Sequence, residues 1–520
     1  MDPTDRAPYL PGRRALLHRT ALAAAGIGLP VWLRHARAAD LPRFALGVAS
    51  GHPGPGGVVL WTRLTGPALP AQVPVHWELA RDERFGRIVA RGSQTAGADD
   101  AHSVHAEVHG LEPAHEYWYR FVALGQTSPA GRTRTAPAAD AEVERLEFAI
   151  ASCQRWDHGL WAAWRDLAER PPELVLFLGD YIYEYATPAL ARVARRHEGG
   201  PTVTLEQYRA RYAQYKSDPL LQAAHAMAPW IVIWDDHEVA NDYAGEQGER
   251  LEPDFPARRA AAYQAWWEHM PLPRALRPVQ GRNTLYGRLD WGRLARLQWI
   301  DDRQFRDPQA CPRPERGGGG NVVDRRACPA LAEPGRALLG TAQERWLAAG
   351  WSLQHPWNLL AQQTLMARLV RPPAAGSDGV RVWTDGWEGY PAARARLLSV
   401  LAERRVPGAV VLGGDVHASY VAALRARWDD ERAPVLASEF CGTSISSHGP
   451  PQKRLDAELH LNPHILHARG DQRGCIRFAL TRARLEADLR AVADPDDAAS
   501  AVTSQARFVV EAAQPGPQRA

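Results

Sequence analysis

Five short segments of the chain carry the side chains that bind metal ions in proteins. They are residues 151–154, 179–184, 234–242, 383–387 and 413–417. In the last segment, the apolar run 409–412 followed by two glycines indicates a buried strand that ends in a tight turn. Asp415 and His417 follow this turn two residues apart, so we expect both side chains to face the same ion.

Three of these side chains indicate a transition-metal site. The thiol of Cys153 and the imidazole of His417 suit such metals, and the phenol of Tyr183 is a good ligand for a ferric ion. Asp180 directly follows a buried strand, so its carboxylate is placed to bridge two cations. These residues also have structural alternatives, because a thiol or a phenol often serves only as a buried core group.

Four further side chains, three carboxylates and one amide, suit a harder cation such as Ca²⁺. They are Asp236, Asn241, Asp385 and Asp415. Buried carboxylates need compensating charge, and the two lysines, Lys216 and Lys453, lie outside all five segments. A metal is therefore the simplest counter-ion, and we expect two classes of metal.

A cluster of cations is suited to the hydrolysis of phosphate esters. It lowers the pKa of a bound water and neutralises the phosphoryl oxygens during displacement. His237, next to Asp236, is placed to hydrogen-bond a phosphoryl oxygen or to protonate the leaving alkoxide. Arg155, Arg303 and Arg394 are candidate contacts for the anion, although arginine is so common in this chain that each is weakly indicated.

The composition is that of a globular protein with more than one domain. The chain has 520 residues, of which 45% are hydrophobic and 23% charged, and its net charge is +3. So small a charge produces no strong field for nucleic acids or anionic membranes. We therefore expect no nucleic-acid partner, although nucleotides and phospholipids are among the phosphate esters that such a site could accept.

Residues 1–39 are typical of a twin-arginine export signal. Arg13 and Arg14 precede an apolar run over 21–33, and residues 36–38 offer a small-residue cleavage site. The run is short for a membrane helix, so a membrane anchor is the less favoured alternative. The expected partner is the twin-arginine (Tat) export machinery. The expected location is periplasmic or secreted, with no transmembrane segment after signal removal.

The five cysteines agree with an oxidising compartment. Cys311 and Cys328 flank a loop rich in glycine and arginine, so we expect a disulfide across that loop. Cys441 and Cys475 either pair or are both buried thiols. Cys153 is then left over, as a metal thiolate would be.

Two patterns of predicted elements divide the rest of the chain. Residues 40–140 contain short strands with polar or Gly/Pro-rich connections, which favours an antiparallel immunoglobulin- or fibronectin-like β-sandwich domain. Within it, residues 111–117 resemble a tyrosine corner, which predicts that the Tyr117 hydroxyl bonds to the preceding turn. Residues 141–515 alternate strands and helices, an α/β pattern in which the metal-type residues follow the carboxyl ends of strands.

At these motifs the sequence resembles the PhoD-like alkaline phosphatase and phosphodiesterase family, a branch of the metallophosphatases. The resemblance covers nearly the whole chain after the signal. Its motifs are Phe44-Ala-Leu-Gly-Val-Ala-Ser-Gly51, Gly57-Val-Val-Leu-Trp-Thr-Arg-Leu64, Trp234-Asp-Asp-His-Glu-Val239, Trp387-Glu-Gly-Tyr-Pro391, Gly413-Gly-Asp-Val-His417 and Thr443-Ser-Ile-Ser446. The resemblance implies a catalytic α/β domain of two packed sheets flanked by helices, after an N-terminal β-sandwich.

The resemblance also implies a cofactor set of one Fe³⁺ and two Ca²⁺. By position, the iron ligands match Cys153, Asp180, Tyr183 and His417, and Asp180 also matches the bridge to calcium. The remaining cation ligands match Asp385, Asp415 and either Asp236 or Asn241. The chain departs from the commonest pattern at Thr384, Glu388 and Cys441, none of which removes a ligand.

The sequence thus predicts an exported alkaline phosphatase that hydrolyses phosphate monoesters through a metal-bound water or hydroxide. His237, Arg155 and Arg394 are its predicted catalytic residues. One alternative is a phosphodiesterase or phospholipase D-like enzyme of the same family, because the same cations stabilise either transition state. Another is a non-catalytic surface-binding protein with structural metals.

Overall fold

The structure is a computed structural model that describes residues 43–428 and 430–520. The predicted export signal over residues 1–39 lies outside the described residues. The strands are β1 Val48–Gly54, β2 Gly57–Arg63, β3 Gln72–Ala80, β4 Ile88–Gly97, β5 Ser103–His109, β6 Glu116–Ala123, β7 Gln126–Thr127, β8 Gly131–Arg134, β9 Arg145–Ala151, β10 Leu174–Phe177, β11 Pro229–Val232, β12 Gly287–Trp291, β13 Ala295–Trp299, β14 Val322–Asp324, β15 Trp357–Ala361, β16 Arg381–Trp383, β17 Ala409–Gly413, β18 Ser419–Arg425, β19 Val435–Cys441, β20 Ile465–Arg469, β21 Arg473–Thr481, β22 Arg484–Val492, β23 Val502–Glu511 and β24 Gln514–Arg519. The α-helices are α1 Ala162–Glu169, α2 Leu205–Lys216, α3 Pro219–Met227, α4 Phe255–His269, α5 Gly340–Gly350, α6 Pro391–Arg404 and α7 Gln452–Leu459.

Two large sheets form the body of the molecule. The first has ten strands in the order β24-β23-β22-β21-β9-β10-β11-β1-β2-β5, and the second has seven in the order β12-β13-β15-β17-β19-β18-β20. Strands β9, β10 and β11 run parallel in the first sheet, as do β13, β15, β17 and β19 in the second. The predicted two-sheet α/β fold is confirmed.

The parallel strands β10, β11 and β17 are apolar along their whole length because both of their faces are covered. Every residue of β10, β15 and β17 is buried. On β17, Val410 and Leu412 join the core that the two sheets share, whereas Val411 joins a second core with α5 and α6. Helices α1 and α3 pack against strands of the first sheet, and Trp164 of α1 and Trp266 of α4 belong to the same large buried cluster as those strands.

The N-terminal strands form a sandwich that shares one sheet with the body. Strands β1, β2 and β5 extend the ten-stranded sheet, and a five-stranded sheet of β3, β4 and β6–β8 packs against them. The connection is parallel pairing of β1 with β11, through Ser50 opposite Pro229. The tyrosine corner is present, since the amide of Glu112 donates to the Tyr117 hydroxyl at 3.1 Å. The domain boundary near residue 140 stays a prediction.

The cysteine pairing follows the sequence expectation. A disulfide joins Cys311 and Cys328. Cys441 and Cys475 are separate buried thiols, which settles the alternative that the sequence left open. None of the helices in the described residues combines the length and apolar character that a membrane crossing requires.

Candidate metal centre and active site

The predicted ligands meet where the carboxyl ends of the two parallel sheets lie side by side. From the first sheet, Cys153 follows β9, Asp180 follows β10 and Asp236 follows β11. From the second sheet, Asp415 and His417 follow β17. Parallel strands gather their loops at one edge, so residues far apart in sequence share one site.

Four of these residues have an unusual backbone conformation. Cys153, Asp180, Asp415 and His417 have φ angles of 58°, 58°, 63° and 55°, in the left-handed region. For residues other than glycine this conformation costs about 1–3 kcal/mol and persists where the surrounding structure imposes it, often at functional sites. The strand ends thus hold these four side chains in positions that relaxed turns would not give.

The predicted iron ligands converge on one point. Ligand atoms of Cys153, Asp180 and His417 lie within 4.8 Å of one another. The Tyr183 hydroxyl donates to Asp180 Oδ2 at 2.7 Å and lies 3.0 Å from His417 Nε2. The Ser447 hydroxyl donates to the same phenol oxygen at 2.7 Å, which fixes its position.

The electrostatics of this point favour a bound cation. Burial, with the charge of Asp180, raises the pKa of the Cys153 thiol and of the Tyr183 phenol well above their usual values. A cation reverses this effect, because it stabilises the thiolate and the phenolate. In addition, Asp180 Oδ1 is buried without a hydrogen-bond partner in the described part of the chain. The residues present therefore fit a metal ion.

Two further close groups extend the site. Asp180, Asp236 and His237 form one, and Asp235, Asp236 and Asp415 form the other. Asp180 belongs both to the group with Cys153 and His417 and to the group with His237. Asp236 belongs both to the group with His237 and to the group with Asp235 and Asp415. Asp235 was not among the sequence predictions, although the doubled aspartate of residues 235–236 was a signal for it.

The group of Asp235, Asp236 and Asp415 also needs compensating charge. Burial raises the pKa of Asp235 and Asp415 well above the usual range, although Arg303 opposes this shift. Asp235 Oδ2 has no hydrogen-bond partner among the residues the structure describes. Asp235 and Asp415 thus resemble the group of Cys153, Asp180 and His417, in that further positive charge beside them would favour their ionised forms.

His237 is held as a proton donor. Its Nδ1 lies 2.7 Å from Glu184 Oε2, and its ring lies 4.1 Å from the Tyr183 ring between centroids. Burial lowers the pKa of His237, but the carboxylates of Glu184, Asp236 and Asp180 outweigh it, so the pKa lies well above its usual value. Glu184 was missed because its partner is 53 residues away in sequence.

Glu238 connects the loop that follows β10 to the loop that follows β11 through hydrogen bonds. Its carboxylate accepts hydrogen bonds from the amides of Asp180 at 3.0 Å, Tyr181 at 2.5 Å and Asp235 at 2.8 Å. Burial and the nearby Asp180 raise its pKa to about 8. Sequence reasoning missed this role, because the hydrogen-bond donors to Glu238 are backbone amides.

Arg303 is the counter-ion within the protein for the aspartate cluster. Its side chain is 1% exposed, and its guanidinium contacts Asp235 and donates to Asp385 Oδ2 at 2.7 Å. Its Nη2 lies 3.8 Å from Asp236 and 3.7 Å from Asp415. Its Nε also lies 3.6 Å from Asp302, so one buried guanidinium faces five carboxylates.

Asp385 lies behind this arginine rather than in the close groups. Its second oxygen accepts hydrogen bonds from Arg306 Nη2 and from Gln309 Nε2, both at 2.6 Å. Both carboxylate oxygens are therefore occupied by side chains, which argues against the prediction that Asp385 is a metal ligand. Asp385 follows β16 by two residues, and at this place its carboxylate faces Arg303 and Arg306.

The remaining predicted residues divide into those near the site and one outside it. Asn241 lines a cavity together with Asp180, Asp236 and Asp415, and its side-chain amide donates to Glu249 at 3.2 Å. Arg155 pairs with Asp157 at 2.7 Å, and its guanidinium lies 5.6 Å from the centroid of the Tyr183 ring. Asn241 and Asp236 line the same cavity, so both stay candidates for the ligand from this loop.

Arg394 is not brought to the site, so its prediction as a catalytic residue is wrong. Its Nη1 lies 2.6 Å from Glu388 and donates to the Met366 carbonyl at 3.1 Å. The side chain lines a different cavity beside Trp428. Its charge is needed to compensate buried Glu388, which faces the catalytic cavity.

The three ligand groups open into one cavity of about 300 Å³. Asp180, Asp236, His237, Asp415 and His417 line its inner end. Such a volume is at the small end of ligand-binding pockets. A phosphate group entering this cavity would meet the imidazolium of His237 and whatever cations the carboxylates hold.

Comparison with known proteins gives consistent matches along the chain. The family model described as PhoD-like phosphatase matches residues 148–489, and that of the PhoD-like phosphatase N-terminal domain matches residues 31–137. Alkaline phosphatase D of Bacillus subtilis (strain 168) is 41% identical over 491 residues, covering 91% of this chain and 82% of that protein. A solved structure described as "Structure of PhoD" has a TM-score of 0.86 and 39% identity, covering 92% of each chain.

Arg303 is expected to stabilise the folded protein. Arg303→Met should lower the free energy of unfolding by about 3–5 kcal/mol, because it leaves buried carboxylates without their counter-ion. Urea denaturation in the presence of a chelator measures this change. Arg326→Met is the matched control, because the Arg326–Asp378 pair is exposed and should contribute about 0.5 kcal/mol or less.

The pH dependence gives a second readout of the same variant. Removing the guanidinium raises the folded-state pKa of Asp235 and Asp415 further, while their unfolded pKa is unchanged. A folded state that binds more protons loses stability as the pH rises, so the deficit should grow from acidic to alkaline pH. A loss below about 1 kcal/mol at alkaline pH would contradict the assigned role of Arg303.

Proposed function

Because the chain belongs to the PhoD-like phosphatase family and is therefore a phosphoric ester hydrolase, we propose that it is a metal-dependent alkaline phosphatase of phosphate monoesters. The observation that carries this proposal is the convergence of three ligand groups on one cavity. The alternative of a non-catalytic surface-binding protein is inconsistent with this family.

The side chains divide between two kinds of cation. Cys153, Tyr183 and His417, with Asp180, would hold a ferric ion, because thiolate, phenolate and imidazole suit it. The carboxylates of Asp180, Asp235, Asp236 and Asp415 would hold calcium, because oxygen ligands suit it. When bound, such cations neutralise phosphoryl oxygens and lower the pKa of water. Asp385 would instead fix the position of Arg303.

His237 would protonate the leaving oxygen of the ester. Glu184 holds Nδ1, so Nε2 is the nitrogen that remains for a substrate in the cavity. The raised pKa keeps the imidazole protonated as the pH becomes alkaline. General-acid catalysis of this kind contributes about 10²–10⁴ in rate.

A specific feature supports the phosphodiesterase alternative. The cavity continues beyond the ligand groups between Trp383, Trp387 and Tyr420. A wall of this kind could accept a second ester substituent as well as a leaving group. The relative activity towards monoesters and diesters decides between the two.

Export through the twin-arginine pathway to the periplasm or the outside is also part of the proposal. The disulfide between Cys311 and Cys328 is consistent with an oxidising compartment. The signal motif itself lies in residues 1–39, outside the described residues.

Hydrolysis of p-nitrophenyl phosphate and bis-p-nitrophenyl phosphate at alkaline pH tests the proposed function. We expect monoester turnover to exceed diester turnover and a chelator to abolish both. Re-addition of iron and calcium should restore activity. The reverse preference would favour a phosphodiesterase, and turnover that survives complete metal removal would contradict the metal dependence.

Metal analysis of variants tests the division of ligands. Cys153→Ser should lose iron and retain calcium, because it removes only the soft ligand. Asp236→Asn should lower the calcium content and leave the iron. Cys475→Ala is the matched control, a buried thiol outside the site, and should keep both metals. Iron retained in full by Cys153→Ser would contradict the assignment.

Leaving-group dependence tests His237. His237→Asn should reduce kcat on an alkyl phosphate by about 10²–10⁴, because an alkoxide leaves poorly without a proton. The loss on p-nitrophenyl phosphate should be much smaller, since p-nitrophenolate leaves without protonation. Equal losses on both substrates would show that His237 only binds the phosphoryl group.

A further inference from the structure

One extended segment leads from the aspartate cluster along the cavity wall. It begins at Thr364, whose hydroxyl donates to Asp415 Oδ2 at 2.7 Å. Beyond it, Leu365, Ala367, Leu369 and Arg371 alternate with residues turned away from the cavity, so one face of the segment forms the wall. A fully extended chain from Thr364 to Arg371 spans at most about 25 Å.

A group of charged residues lies at the far end of this wall. Arg371 and Arg454 both line the cavity. The Nε atoms of both lie 3.6 Å from the same oxygen of Glu458, which is a residue of α7 like Arg454. The Glu458 side chain is 4% exposed, whereas those of Arg371 and Arg454 are 17% and 47% exposed.

The charges at this end do not balance. Two guanidiniums share one carboxylate, and the distances of 3.6 Å are too long for direct hydrogen bonds. Arg371 Nε is buried and has no hydrogen-bond partner among the described residues. This Nε faces Glu458, whose Oε2 is also buried without a hydrogen-bond partner among the described residues, so the other guanidinium nitrogens of Arg371 and Arg454 are the ones left for an anion in the cavity.

The backbone around Arg371 is fixed, which makes this end a built feature rather than a flexible surface. Residues Arg371 and Arg381 exchange two backbone hydrogen bonds, of 2.8 and 3.1 Å. Two acids line the cavity outside the ligand groups. Glu388 is already compensated by Arg394 at 2.6 Å, and Asp242 lies at the opposite end, where its amide donates to Asp236 Oδ2 at 2.6 Å. The surplus positive charge at the far end is therefore not cancelled along the wall.

The wall between the two ends is mainly apolar. Leu365, Trp387 and Tyr420 are buried side chains that line it, and Trp383 contributes an indole ring. A bound molecule that reaches from the cluster to the arginines would therefore place an apolar portion here.

We propose that Arg371 and Arg454 form an anion-binding subsite for the leaving group of the substrate. The preferred substrate class is a phosphate ester whose leaving group has an apolar body and a second anionic group, a carboxylate or a phosphate, at its remote end. This inference rests on the proposed function, because it places the scissile phosphate at the ligand groups.

A matched series of substrates tests the subsite. Aryl phosphates carry linkers of increasing length, up to about 25 Å, ending in a carboxylate, a phosphonate or the neutral primary amide. The expected result is a kcat/KM about tenfold higher for an anionic terminus than for the amide at the best length, as for one charge-assisted pair. The carboxylate and phosphonate arms identify which anion is preferred.

Variants connect the preference to the two arginines. In Arg371→Gln and Arg454→Gln the ratio of anionic to amide kcat/KM should fall towards one. Arg145→Gln removes an exposed guanidinium at the opposite end of β9 and should keep the wild-type ratio. A ratio near one at every length, or a preference that survives both variants, would overturn the proposal and leave the arginines only as counter-ions of Glu458.

Calorimetry separates this inference from the proposed function. Non-hydrolysable methylene phosphonate analogues of the same compounds report binding without turnover. Tighter binding of the anionic analogues that Arg371→Gln abolishes would support the subsite even if no ester were hydrolysed, in which case only the proposed function fails. Equal binding of the anionic and amide analogues would overturn the subsite independently of any activity.

Discussion

The constraint on which the site depends is the burial of several carboxylates at one point between two sheets. Asp235, Asp236 and Asp415 lie close together, and ionised carboxylates in such a place are very unfavourable without compensating charge. Arg303 supplies part of that charge from within the protein, and Arg306 supports it through a shared carboxylate. Cations are the natural source of the rest.

The fold is what makes such crowding possible. Loops that follow parallel strands in both sheets open at the same edge, and each delivers one or two acidic or metal-binding side chains. Four residues there have left-handed backbones, and this strain is sustained by strands such as β10 and β17 that are buried throughout. Glu238 then ties two of the loops through their amides, so the positions are set before any ion binds.

The sequence allowed prediction of those structural features that depend on neighbouring residues in the chain. Cys153 and Asp415 follow apolar strands, so their place at the sheet edge was predictable, as was the α/β class. The two-sheet architecture was predicted only from the family resemblance. Contacts between distant segments were not predictable: Arg303 looked like many other arginines, and the wrong prediction for Arg394 came from the same ambiguity. The sandwich and the body share one sheet because β1 pairs with β11 at Ser50. No local sequence pattern predicts this pairing.

The same electrostatics connect folding with metal loading. Without cations, the raised pKa values of Cys153, Tyr183 and Asp415 mean that the site must stay protonated to remain buried. Binding of cations removes this conflict, so it stabilises the folded chain and releases protons together. If the protein is exported in its folded form, as we propose, the compartment in which it folds determines which metals it carries. The position of Cys153 would be the most selective in that choice, because its thiolate would be the soft ligand in a site otherwise dominated by oxygen donors.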